Sequence, residues 1–288
     1  MLVFNCTKAA AEFFSISRKN TRVSPLEKAP EKTIAESIQA NSPQSNPLPT
    51  DIKPASNIQW HWLVHAVKIK RQNVLILMDY HSRFAMTFTC LKKGDDSAFL
   101  QMFQQHLNFH IHELLPQVLP DPGVIHTSFE QYRQVHAEHV FYRRGDRSVQ
   151  GHINDVSWHI EMTADEMGEL PTGINLIAFD CYINNTIRNS KGKKGYFIPL
   201  QDFLHQWLYR FAGFSQAQAD KLIKELQKKE KARYQAMHNS MCDIVADTIE
   251  AKHLSGEVEA MLMSQINGKP ATGDRNNVIQ VDFSQKKS

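Results

Sequence analysis

The segment Arg143–Glu161, RRGDRSVQGHINDVSWHIE, gathers three arginines, two histidines, two aspartates and an asparagine. Such a set can do three kinds of chemistry. Arg147 and His152 form an Arg-x4-His pair, in which a guanidinium would stabilise phosphorane charge and an imidazole would move the proton; that is a metal-independent ribonuclease. His152, Asp155 and His159 could ligate a divalent metal from one helix, although three ligands without a supporting Cys or Glu pair make an incomplete set. In the third reading the row is a structural polar knot beside a groove, with Asp155 accepting from His152 or His159 at helical spacing. Arg143, Arg144, Arg147, Asn154 and Asp155 would then be offered to a ligand. Arg147 gains nothing from the dipole at a helix start, so it should have a carboxylate, phosphate or backbone partner. The third reading is the one favoured, because the Arg-x4-His pattern is loose and recurs by chance.

The element that must position these side chains is a helix over Val149–Met162. At about 100° per residue, Val149, Ile153, Val156 and Ile160 share one face. Ser148, His152, Asp155 and His159 form a second row beside it. A second basic segment, Ile187–Phe197 (IRNSKGKKGYF), carries Arg188, Lys191, Lys193 and Lys194 with two glycines and Tyr196. A loop of this composition can hold a phosphate backbone, and it would extend the Arg143–Arg147 surface if the two segments are neighbours.

The wider chain supplies the frame. Leu2–Cys6 reads as a strand, and Thr7 as the cap of a helix over Lys8–Phe14. Six prolines (Pro25, Pro30, Pro43, Pro47, Pro49, Pro54) mark a polar stretch, read as a mobile loop around a short helix in EKTIAESIQA. NIQWHWLVHAVKIK alternates, NVLILMDY is apolar on both faces, and FAMTFTCL follows a second tight turn, which predicts an antiparallel meander. The rest reads as helices, with Asp95, Asp96 and Ser97 starting one of them. The expected class is α+β: a small antiparallel β-meander packed against a mostly helical remainder. Trp60, Trp62, Phe84, Met86 and Phe88 should lie between sheet and helices. The expected organisation is 1–22 as N-terminal strand and helix, 23–56 as mobile loop and 57–212 as α+β core. Residues 213–267 form a helical extension suited to self-association, and 268–288 a polar tail.

Composition narrows the classes. A net charge of +3 over 288 residues does not by itself make a nucleic-acid binder. Cys6, Cys90, Cys181 and Cys242 form no C-x-x-C pair, which argues for reduced thiols in the cytoplasm. No segment reads as a leader or a membrane span, and no motif calls for a cofactor.

Two resemblances bear on function. NVLILMDYHSRFAMTF is similar to the strand-turn-strand of DDE integrases and transposases, which implies a degenerate integrase-like domain. The strand before it has no carboxylate, however, and a two-metal site needs one, so Asp79 reads as a turn residue. Arg147–Asp155 (RSVQGHIND) resembles the R-S-V-x-G-x-M-N-D signature of a prokaryotic family known only as a domain of unknown function. The order Asn5-Cys6-Thr7, hairpin region, acidic-start helix and signature matches that family over about Met1–Phe211, less the proline-rich loop. Ile153 and His152 depart from it, the second where a small residue is usual. The resemblance implies one fold and no transferred activity. The functional expectation is a non-enzymatic intracellular binding protein whose partner is nucleic acid or another protein.

Overall fold

The computed structural model describes residues 1–19, 21–40, 59–190, 193, 195–238, 240 and 256. In chain order the elements are β1 (Leu2–Cys6), α1 (Lys8–Phe14), β2 (Ile16–Arg18), β3 (Thr21–Val23), β4 (Leu26–Glu27), α2 (Ile34–Ala40), β5 (Trp60–Ile69), β6 (Gln72–Asp79) and β7 (Ala85–Phe88). They continue with α3 (Asp96–Leu114), a 3-10 turn (Leu115–Gln117), α4 (Pro122–Val135), β8 (His139–Arg143), α5 (Arg147–Met167), α6 (Gly173–Asn184), β9 (Arg188–Asn189), β10 (Tyr196–Phe197) and α7 (Pro199–Phe211). The class is α+β.

The antiparallel meander is present as β5-β6-β7, but it is only part of the sheet. The sheet has six strands in the order β4-β8-β1-β5-β6-β7, and β4, β8, β1 and β5 are parallel neighbours. Leu2 pairs with Trp60 on one side and with His139 on the other. Parallel pairing joins segments far apart in the chain, so no local pattern announces it.

Alternation along the strands separates two cores. Phe4, Trp60, Trp62, Val64, Leu75, Leu77, Met86 and Phe88 face α1, α3, α4 and α7. Leu63, Ile69, Val74, Ile76 and Met78 face α2, α5 and α6 on the other side. Phe84, at the turn before β7, joins the first core with the other aromatics expected there. Aromatic rings dominate that core: Phe84 stacks on Phe203 at 4.1 Å, and Trp60 contacts Trp62, Tyr132, Phe203, Trp207 and Phe211.

The helices form where capping and periodicity agree. Thr7, Asp95, Asp121 and Asp146 each accept an amide at the start of α1, α3, α4 and α5. α5 sinks Val149, Ile153, Val156 and Ile160 completely and ends at Gly168, whose φ of 80° suits glycine. Residues 26–27 are strand and 34–40 helix within the proline-rich stretch, and 41–56 lie outside the described residues.

Contacts divide the chain into Met1–Leu226 and Gln227–Ser288. In the first unit Ala219, Ile223 and Leu226 join the aromatic core. In the second, residues 227–238 are helical; the expected last helix, the polar tail and Cys242 fall outside the described residues. Among the described residues no helix is long and apolar enough to cross a membrane.

Candidate functional site

Two parallel neighbours, β1 and β8, end side by side, with Cys6 paired to Arg143. The helices that follow them leave in opposite directions: α1 packs on the aromatic face and α5 on the other. When successive helices part like this, a crevice opens beyond the carboxyl ends of the strands, the usual place for a ligand on an open sheet. A cleft of about 450 Å³ lies there, lined by Cys6, Thr7, Lys8, Arg143, Arg144, Gly145, Asp146, Arg147 and Gln150.

The walls are fixed by local chemistry. Thr7 Oγ1 accepts from the Ala10 amide at 3.3 Å and lies 2.9 Å from His65 Nδ1. Asp146 Oδ1 accepts from the Ser148 amide (2.8 Å) and hydroxyl (2.6 Å), and its Oδ2 from the Tyr80 hydroxyl (2.9 Å). Burial would raise the Asp146 pKa, but these bonds and the field of Arg83 hold it below the ordinary carboxylate range. It stays anionic and covers one of the free amides at the start of α5, that of Ser148.

Arg144 is committed within the chain. Its Nε donates to Asn5 Oδ1 (2.9 Å), and its Nη1 to Lys32 O (2.9 Å) and Ser37 Oγ (3.0 Å). Beneath it, burial and the charges of Arg144 and Arg210 push His61 down to about 4, so its ring is neutral. Lys8, Arg143 and Arg147 differ. All three are exposed, and among the described residues none of their side chains has a hydrogen bond or ion pair. The partner expected for Arg147 is therefore absent from the described part of the chain.

The remaining predicted residues are dispersed. Asn154 accepts from Gln150 Nε2 at 3.0 Å, and Asp155 is exposed. No hydrogen bond joins Asp155 to His152 or His159 among the described residues, so the anticipated polar knot does not form. Burial and the charges of Arg188 and Arg83 outweigh the opposing charge of Asp155 and lower His152 to about 4. The His159 ring packs edge-on to Trp158 (4.8 Å) and Tyr182 (5.9 Å). Among the described residues no group of three or more His, Cys, Asp or Glu side chains is arranged to hold a metal. Arg147 and His152 leave the helix about 140° apart, and only Arg147 lines the cleft.

The second basic segment does reach α5, but not as an open cationic loop. Arg188 is buried, and its Nη1 donates to His152 O at 3.3 Å. Lys193 pairs with Asp202 and sits 3.9 Å over the Phe197 ring. Lys191 and Lys194 lie outside the described residues. Arg188 is drawn inward because the short pair β9–β10 brings its backbone beside α5, a contact invisible in a glycine- and lysine-rich string.

Asp79 is more than a local turn residue. It accepts from the Ser82 amide and hydroxyl (2.6 Å each), from Trp60 Nε1 (2.7 Å) and from Gln206 Nε2 (3.3 Å). The paired central strands β1 and β5 contribute Asn5 and His61 next to one another, where a two-metal site would need carboxylates. Sequence reading missed Lys8 and Thr7 as cleft residues. The only available signal was the Asn-Cys-Thr step at the end of β1.

Residues 3–202 match the family model described as Domain of unknown function (DUF6933). The chain belongs to this family. The match to the DUF6933 domain covers the whole sheet except Leu2 and every residue lining the cleft, and stops within α7. No curated protein and no solved structure matches the chain.

Proposed function

We propose that this DUF6933 protein is a non-enzymatic binding protein whose cleft beyond β1 and β8 takes a phosphate-bearing ligand, with nucleic acid as the partner class. The observation that carries the reading is the trio Lys8, Arg143 and Arg147, three unpaired cations around one concavity at the carboxyl ends of parallel strands. Free surface cations normally find carboxylates or solvent singly; their convergence on a crevice of ligand size favours an anion. Arg143 and Arg147 present planar forks suited to phosphate oxygens. The ribonuclease and integrase readings lack such support, since Arg147 and His152 diverge and the central strands offer no carboxylate pair. Cys6, Cys90 and Cys181 are free thiols, which supports a reducing, cytoplasmic setting. Exposed Tyr234 and Met237 support self-association through the helix over 227–238.

The test is a salt titration of binding to labelled single-stranded RNA and DNA, wild type beside Arg143→Glu/Arg147→Glu. Affinity should fall linearly with salt on a log–log scale. The double variant should bind at least about tenfold more weakly, with a slope shallower by about 1.4, at roughly 0.7 per lost phosphate contact. An unchanged slope in the variant, or no wild-type binding at about 50 mM salt, sinks the proposal.

A further inference from the structure

Arg83 and Arg188 are each only 6% exposed. Arg83 comes from the turn between β6 and β7, and Arg188 from β9. Their known contacts leave both guanidinium groups short of acceptors. Arg83 donates through Nη1 to Tyr80 O and through Nη2 to Ser190 Oγ at 3.3 Å. Arg188 donates through Nη1 to His152 O at 3.3 Å. The Nε of each is buried without any hydrogen-bond partner. Among the described residues neither arginine forms an ion pair.

A buried guanidinium normally has a carboxylate against it, because an uncompensated charge away from water is costly. Two such groups within each other's field are worse: burial first, and then the charge of Arg83, lower Arg188 to about 10 against the opposing pull of Asp155. The carboxylates in range do not resolve this. Asp79, the carboxylate whose field acts most on Arg83, spends its oxygens on Ser82, Trp60 and Gln206; Asp155 is exposed to solvent, and Asp146 is already engaged by Ser148 and Tyr80. His152 adds no negative charge, being neutral at physiological pH. Arg83 also holds a left-handed φ of 62°, a strain that persists only where the surroundings enforce it. What is missing is an acceptor with several oxygens and negative charge, able to take the Nε donors and the Ser190 hydroxyl together.

We propose that Arg83, Arg188 and Ser190 form a second oxyanion site, for inorganic phosphate or a phosphomonoester, separate from the cleft beyond β1 and β8. It stands on different residues from that cleft and survives if the cleft binds nothing.

The experiment titrates inorganic phosphate, and in a parallel arm a 5′-nucleoside monophosphate, into the full chain at constant ionic strength set by chloride. Binding is read by calorimetry and by the rise in melting temperature with ligand. Wild type should bind phosphate. Arg188→Lys keeps the charge but loses the fork, and should weaken binding at least about fivefold; Arg83→Lys should do the same. Arg143→Ala/Arg147→Ala removes the cleft's cations, and that variant should still bind phosphate; adding Arg188→Lys in the same background should weaken the remaining binding at least about fivefold, which separates the two sites. Equal affinity for the two probes assigns free phosphate, and tighter nucleotide binding assigns a phosphomonoester. No wild-type response up to about 10 mM phosphate overturns the proposal. So does binding that is undiminished in both lysine variants, whose folding is checked by circular dichroism. Phosphate binding lost only in the Arg143/Arg147 variant also overturns it and assigns the anion to the cleft.

Discussion

The Arg144 guanidinium is consumed by three contacts inside the chain, whereas Arg147, three residues on, has none among the described residues. Side chains of one type in one segment thus divide into a structural clamp and a free cation, and only their surroundings distinguish them. Asp79 shows the same dependence on context. Burial would raise its pKa, but the Ser82 bonds and the field of Arg210 hold it below the ordinary carboxylate range. A depressed carboxylate stabilises the fold above its unfolded pKa, and that contribution is lost as pH falls through the folded value. Asp79→Ala strands the Trp60 indole N–H and the Ser82 amide in the interior. It should cost about 3 kcal/mol in urea unfolding; a loss below about 1 kcal/mol would mean the donors find other partners.

At the scale of elements, α5 joins everything of interest. Its buried stripe anchors it to β5 and β6, its first turn lines the cleft, and its second turn receives Arg188. The stripe and its helical period were legible from the chain alone. The same helix carries Gly151 in its interior, exposed, where an added Cβ would meet nothing within 4 Å. A mid-helix glycine costs up to about 1 kcal/mol relative to alanine, so Gly151→Ala should raise stability by about that amount in urea unfolding. A destabilised variant would show that α5 needs the glycine for a reason other than space.

Across the whole molecule, protonation ties stability to pH with opposite signs on different histidines. Burial is the main cause lowering His61, His136 and His152, to about 4, about 3 and about 4 against an ordinary 6.5. Between those values and 6.5 the unfolded chain binds more protons, so stability should fall as pH drops from 6.5 towards 4. His110 runs the other way. Burial pulls it down, but the Asp180 carboxylate and Cys181 push it up to about 9. Its contribution is fully present below 6.5 and lost as pH rises through about 9. Unfolding free energy against pH should therefore decline on both sides of a maximum, and His110→Gln should flatten the alkaline limb alone. An alkaline limb unchanged in that variant would remove His110 as its cause.

The amino-acid order by itself determined the local elements: the β6 run apolar on both faces, the α5 stripe, the Thr7 cap, the acidic start of α3 and the β5-β6-β7 meander. Each rests on periodicity or a side chain bonding its own backbone a few residues away. Tertiary structure alone decided that Leu2 pairs with His139 and Trp60, that Lys8 meets Arg143 and Arg147, and that Arg188 goes inside. A hydrophobic period records which side of an element must be covered. It carries no information about which distant segment covers it, and both the cleft and the buried arginine pair are made of such distant meetings.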